Sequence, residues 1–350
     1  MRLVNKTICC IASKRFFQNV QVSFKNSDGS EALKRLEDIS NSTWATDVRK
    51  LDIRFDPKFL QGMNRHSEEF HDLFNKIRLI FEKLPELNAF NFYPYTFGNR
   101  DEAFINMGVN TIRSLPLQNL TELEITHHYG GHYHGSRKFI PTGHYLEGPG
   151  DGLENLKHLG LKGHFTWEKD SELELAQLIR TAVNIESLRL QYHCSGVPNT
   201  LQFINPHRFR YLHLELGDIH ETELSHILKK CKETIRYIEI TADRYHGSHL
   251  QVLFQINRSL KLLYFFFRLR GDSRKIEELE NGLRQDIRNE EILCVYAYSD
   301  IQRQIKANRL AAGLVPSWRR YTFVEFLETP PLESVMDAAH YQELCSLSEL

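Results

Sequence analysis

Apolar residues in this chain keep two periods side by side. In LENLKHLGLKG, Leu153, Leu156 and Leu159 stand three apart, as on a helix face. Leu159 and Leu161 stand two apart, as on a strand. LQNLTELEI, starting at Leu117, and LPELNAFNF, starting at Leu84, carry apolar residues at the same four offsets. Looser copies are AVNIESLRL from Ala182, PHRFRYLHL from Pro206, KETIRYIEI from Lys232 and NRSLKLLYF from Asn257, with a partial copy VRKLDIRF from Val48. The residues opening the last two-residue step are Leu51, Phe90, Leu123, Leu159, Leu188, Leu212, Ile238 and Leu263. Such an ordered series is an internal repeat, and a repeat outranks other fold signals.

Helical spacing fills the gaps. Phe70, Leu73, Phe74, Ile77, Ile80, Phe81 and Leu84 form one stripe. Leu175, Leu178, Ile179 and Ala182 form another, behind Ser171 and Glu174 placed as a capping box. Further stripes are Leu224, Ile227, Leu228 and Cys231, then Leu250, Leu253, Phe254 and Asn257. Ile276, Leu279, Leu283 and Ile287 make the last one, ahead of an expected strand from Ile292 to Tyr296. Each unit then reads as a short strand, a turn and a helix. That is the layout of a leucine-rich repeat, in which the chain bends into its strand, so that apolar residues three apart all point inward. On the strand itself Leu159 and Leu161 point in and Gly160 points out. One unit cannot bury its own apolar side, so the units are expected to stack into a curved solenoid. The expected fold class is therefore α/β, a leucine-rich-repeat solenoid with a curved parallel sheet and helices on its convex side. The alternative is an ordinary α/β sheet with right-handed crossovers, whose strands would not share this signature.

The residues before the repeats carry a second likeness. LVNKTICCIASKRFFQNVQVSF, from Leu3 to Phe24, resembles the C-terminal half of an F-box running into its first strand. Leu3, Ile8, Ile11, Ala12, Phe16, Phe17, Val20 and Val22 stand where that pattern has apolar residues. SEALKRLEDISNSTWATDVRKLDI resembles the helix and first repeat strand that follow the F-box in fungal F-box/leucine-rich-repeat proteins. The resemblance implies a partial F-box helix over residues 1–19 and a solenoid over 20–298, with a loop insertion at 126–152. Residues 299–350 would form a C-terminal cap and tail. An F-box opens with a Leu-Pro motif upstream of where Met1 falls, so a Skp-type adaptor is an expected partner only if that docking half is restored.

Composition narrows the function classes. Lys plus Arg number 44 and Asp plus Glu 45, so no basic excess argues for nucleic acid. With 22 Phe and 14 Tyr, the chain is not disordered by composition. No apolar run has the length of a membrane span, and Lys6, Lys14 and Arg15 interrupt the apolar N-terminus where a signal peptide would need continuity. The cysteines (Cys9, Cys10, Cys194, Cys231, Cys294, Cys345) contain no C-x-x-C pair, as expected of reduced thiols in the cytoplasm or nucleus. His127, His128, His132 and His134, with His144 nearby, are close enough to bind zinc. Gly130 and Gly131, and the lack of a cysteine or HExxH frame, favour a solvated loop instead. Phosphate-loop, dinucleotide and nucleophile-elbow motifs are missing.

The expected function is thus non-enzymatic: a monomeric protein-recognition module, without cofactor or metal, resembling the substrate receptor of an SCF-type ubiquitin ligase. A stand-alone repeat scaffold with no ligase link is the other reading. The target, a protein not identifiable from sequence, would lie on the concave strand face, at residues flanking the inward ones. Aligning the last strands stacks Tyr211, Tyr237 and Leu262, then His213, Glu239 and Tyr264, then Glu215, Thr241 and Phe266, with Arg189 extending the middle column. Arg189, Tyr211, His213, Glu215, Tyr237, Glu239, Tyr264 and Phe266 are the candidate binding residues, since Tyr and Arg are enriched at binding hot spots. A C-terminal segment around Trp318 to Phe326 folding over the same aromatics is the competing expectation.

Overall fold

Each marked two-residue step from Leu51 to Ile238 lies in a strand, and a further strand precedes the first. The computed structural model describes residues 16–25, 29–56, 58–59, 68–96, 119–129, 153–163, 182–192, 205–246, 249–269 and 284–314. The strands are β1 (Asn19–Phe24), β2 (Lys50–Phe55), β3 (Ala89–Thr96), β4 (Glu122–Tyr129), β5 (His158–Gly163), β6 (Ser187–Tyr192), β7 (Tyr211–His220), β8 (Tyr237–His246) and β9 (Tyr264–Leu269). They form one nine-stranded sheet in chain order, and every pairing is parallel. Each crossover therefore advances one strand in the same direction, an arrangement compatible with a curved, solenoid-like α/β fold. The described helices are α1 (Ser30–Ser40), α2 (Glu68–Phe81), α3 (Glu221–Lys230), α4 (His249–Ser259) and α5 (Arg284–Ala311).

The double period has a direct cause in the backbone. Val20, Leu51, Phe90, Leu123, Leu159, Leu188, Leu212, Ile238 and Phe265 are aligned across the sheet, and all are buried in one continuous core. Three residues before most of them sits a second buried row, Val48, Leu87, Leu120, Leu156, Ile185, Phe209, Ile235 and Leu262. Between the two rows the chain bends, and the bend is hydrogen-bonded alike in successive units. The carbonyl of Asn88 accepts from the N–H groups of Thr121 and Glu122, and that of Thr121 from those of Lys157 and His158. Lys157, Glu186, Arg210 and Arg236 continue the chain of carbonyls up to the N–H groups of Leu263 and Tyr264. The spacing of three spans the bend and the spacing of two follows the pleat.

Helix stripes follow the sequence in two cases and in part in a third. Leu73, Phe74, Ile77, Ile80 and Phe81 of α2 are buried, as are Leu224, Ile227, Leu228 and Cys231 at α3. On α4 Val252, Leu253 and Ile256 are buried; Leu253 is from the expected stripe, and Asn257 of that stripe is half-buried. At the other end, Phe24, Phe55 and Phe59 pack ring on ring with centroids 4.7 to 5.6 Å apart. Gly29 begins α1 beside them at φ 60°, and a Cβ there would lie 2.5 Å from the Phe59 ring.

Two expectations are corrected. Residues 292–296 are not a strand but part of α5, which crosses residue 298. A short apolar run cannot be told from a buried helix segment by periodicity, and a helix here serves the sheet edge. Ala297, Ile301 and Ile305 enter the core. The side chains of Gln302, Asn308 and Arg309 donate to the carbonyls of Phe265, Leu262 and Leu263 at 3.0, 2.9 and 3.3 Å. The second correction is the last marker, which is Phe265 and not Leu263, because Ile238 pairs with Phe265. Leu262 to Phe267 is apolar or aromatic throughout, so the sequence fits both frames. The bend bonds from Leu263 and Tyr264 to Arg236 choose between them.

β4 continues to Tyr129, so residues 126–129 of the expected loop insertion, His127 and His128 among them, are strand. The Ser171–Glu174 capping box, the stripes at 175–181 and 276–283, the histidine loop beyond 129, Leu3, Ile8, Ile11, Ala12 and the segment from Trp318 lie outside the described residues.

Candidate functional site

Strand residues alternate with the core rows and point to the opposite, outward face of the sheet. Register sorts them into columns. The first runs Asn19, Lys50, Ala89, Glu122, His158, Ser187, Tyr211, Tyr237, Tyr264, and the second Gln21, Asp52, Asn91, Glu124, Gly160, Arg189, His213, Glu239, Phe266. A third includes Arg54, Tyr93, Thr126, Lys162, Gln191, Glu215 and Thr241.

The expected columns hold over β6, β7 and β8 and slip by two residues at β9. Tyr264, and not Leu262, stands beside Tyr237; Phe266, and not Tyr264, stands beside Glu239. The slip produces a continuous stack of three tyrosines. Tyr211 and Tyr237 lie 4.1 Å apart at 19°, and Tyr237 and Tyr264 lie 4.2 Å apart at 7°. Tyr237 is 0 % exposed and Tyr211 4 %, whereas Tyr264 is half-buried. Burial raises the phenol pKa of Tyr237 and of Tyr211, so both stay protonated. The Tyr237 hydroxyl donates to Glu239 Oε2 at 2.8 Å, and His213 Nδ1 lies 3.7 Å from the same oxygen. Gln191 donates to Glu215 alongside.

A second constellation, absent from the sequence-based expectation, occupies β4 to β6. Ser187 Oγ lies 2.8 Å from His158 Nδ1, and His158 Nε2 lies 3.3 Å from Glu124 Oε1. The same oxygen is 3.6 Å from Arg189 Nη1, two strands away. Glu124 reaches it by lying over Gly160, where a Cβ would stand 2.8 Å from Glu124 Cγ. The hydrogen bond from His158 is the largest cause holding the Glu124 carboxyl down at about 2; the Arg189 charge assists and burial opposes. Hydroxyl, imidazole and carboxylate in sequence resemble a nucleophilic relay. Ser187, however, is 0 % exposed, so no substrate atom reaches its oxygen in this arrangement. The chain satisfies buried polar groups and joins three strands. Nearer β1, Asn91 donates to Asp52 at 2.8 Å and the Arg54 guanidinium lies 4.9 Å over the Tyr93 ring.

Glu124, His158 and Ser187 were legible in principle. Glu124 occupies the same place between two core residues as Gly160 and Arg189, and His158 and Ser187 the place of Tyr211. Phe16 and Phe17 of the N-terminal set lie directly before β1; Phe17 stacks on Trp44 at 5.5 Å and 10°. Among the described residues no group of three or more His, Cys, Asp or Glu could hold a metal ion, and no helix is long and apolar enough to cross a membrane.

No family model and no curated protein matches the chain. Among solved structures it is similar to a Bacteroides fragilis protein from a structural genomics programme, at 11% identity and a TM-score of 0.38, over 72% of this chain and 74% of that one.

Proposed function

We propose that the protein is a non-enzymatic recognition module of the leucine-rich-repeat type, which binds a protein target across the outward face of its sheet. The observation behind this reading is the register of the columns: unlike side chains, from Lys50 and Asp52 to Glu239 and Phe266, are displayed on one regular frame. A frame of identical cores with individually chosen outward residues suits recognition of an irregular protein surface. Around the stacked tyrosines, the half-buried Tyr264, Phe266, His213, Glu215 and Arg189 supply aromatic area and charge. The resemblance of Leu3 to Phe24 to part of an F-box carries the further reading, a substrate receptor of an SCF-type ubiquitin ligase. That reading is tested by co-expressing a Skp-type adaptor with the chain extended by a restored docking half ahead of Met1, where failure of the extended chain to co-purify removes the ligase link and leaves the recognition module; the chain as given is expected not to co-purify.

The binding surface is tested with charge reversals on the two sides of the sheet. Partners captured from cells by the wild type are purified and their affinities measured. Arg54→Glu, Lys162→Glu and Glu215→Lys on the outward face should each weaken binding about tenfold, on the order of 1.4 kcal/mol. Lys34→Glu and Lys229→Glu on the helices should leave it unchanged. The opposite pattern would move the site to the helical side.

A further inference from the structure

The two edges of the sheet are treated differently. β9 is closed by α5, whose side chains take up strand carbonyls. β1 has no described strand or helix across its outer edge. The carbonyls of Gln18 and Phe24 accept from Arg49 and Asp56, so alternate residues of β1 turn toward β2. Asn19, Gln21 and Ser23 then direct their main-chain donors and acceptors away from the sheet. Unpaired edges of this kind are templates for another strand.

A groove follows that edge along its length. One cleft of about 610 Å³ is lined by Phe16, Phe17, Val20, Ile39 and Trp44. A second of about 410 Å³ is lined by Ser23, Lys25, Glu31 and Ala32, and both share Gln21 and Arg35. The apolar end carries Phe16, at 71 % the most exposed large hydrophobic residue among the described residues. The second cleft carries Lys25 and Arg35 against Glu31, an excess of positive charge within that cleft, while Asp38 borders the first; among the described residues none of the four is in an ion pair. Six residues of extended chain, about 20 Å at 3.3 Å each, match the groove.

A second copy of the chain fits this surface poorly. Antiparallel pairing of two β1 strands about Gln21 would present Phe24 and Lys25 of one copy to the apolar cleft of the other. Phe24 is already fully buried in its own core and Lys25 is charged, so the cleft would stay empty. The lining calls for a bulky apolar side chain at one end and a carboxylate at the other.

We propose that β1 and the groove beside α1 take up one extended segment of a partner protein as a tenth strand, with a bulky apolar side chain against Phe16, Phe17 and Trp44 and a carboxylate facing Lys25 and Arg35. This edge is separate from the outward face, so either site stands if the other fails.

The test uses the full chain and two fluorescein-labelled peptides, Trp-Thr-Val-Thr-Val-Asp-Asp and its reverse, which offer the anchor and the carboxylates in both strand directions. The expected result is saturable binding of at least one peptide. Binding should weaken at least tenfold in Gln21→Pro, which removes an edge-facing N–H at a position where an edge strand tolerates proline. Phe16→Ala and Lys25→Glu should weaken it comparably, all three variants melting with the wild type. Amide exchange at Gln21 and Ser23 should be fast in the free protein and slow in the complex. Absence of saturation by either peptide, or equal binding by all three variants, would overturn the proposal. So would edge amides already protected in the free monomer, which would assign the groove to the protein's own chain, or a dimer that Gln21→Pro dissociates.

Discussion

Replacing Gly160 by alanine puts one methyl group where Glu124 now crosses the sheet. The added Cβ would stand 2.8 Å from Glu124 Cγ and 3.0 Å from Oε1. Cγ is not the far tip of the side chain, so the whole carboxylate has to swing away. It then loses His158 at 3.3 Å and Arg189 at 3.6 Å together. The size follows from the acidity of Glu124, held at about 2 instead of 4.5, chiefly by the His158 hydrogen bond. A carboxyl whose folded pKa is lowered contributes stability that is full above its unfolded pKa and lost as the pH falls through the folded one. At about 1.4 kcal/mol per pKa unit, the contribution at neutral pH is about 3 kcal/mol as an upper figure, and about 2 kcal/mol once solvent around the side chain is allowed for. Gly160→Ala should therefore unfold at lower denaturant than wild type at pH 7. The gap should narrow as the pH falls from 4.5 toward 2, where the wild type loses the same contribution. Urea titrations across that range, with a carboxyl NMR titration of Glu124, measure both quantities. A gap independent of pH, or a Glu124 that titrates near 4.5 in the wild type, would refute the reasoning.

Tyr237→Ala removes the middle ring of the stack and should cost about 3–5 kcal/mol in chemical denaturation, more than Tyr264→Ala at its half-buried end. Equal losses would mean that the stack does not act as a packed unit. The Cys231 thiol is buried, and burial pushes its pKa up to about 12. Thiol labelling at pH 8 read by peptide mapping should leave it unmodified in the folded protein and modify it in urea. Gly29→Ala should lower the melting temperature, because φ 60° is strained for alanine and its Cβ would meet the Phe59 ring. An unchanged melt would show that the Phe24, Phe55 and Phe59 cluster yields without cost.

The repeat was legible because the bend and the pleat each impose a fixed spacing on buried residues. From Leu51 through Ile238 the apolar pattern marks the paired residues directly. It failed at β9, where Leu262 to Phe267 supplies an apolar side chain at every position and the frame depends on backbone bonds to Arg236. It failed again at residues 292–296, because what makes that segment helical is the edge of β9, a partner distant in sequence. The shared columns of Arg189, Tyr211, His213, Glu215, Tyr237 and Glu239 on β6, β7 and β8 follow from alternation alone. The Glu124, His158 and Ser187 chain depends on a two-strand reach over Gly160, which a single-strand pattern does not encode.

The central claim is that recognition occurs on the outward face of the sheet and not on its helices. The direct measurement is hydrogen exchange of the protein with and without a purified, captured partner. Slowed exchange should fall on outward-facing strand positions and their flanking turns from β6 to β9, with α3 and α4 unaffected. Protection confined to α3 and α4, with the strands unchanged, would contradict it.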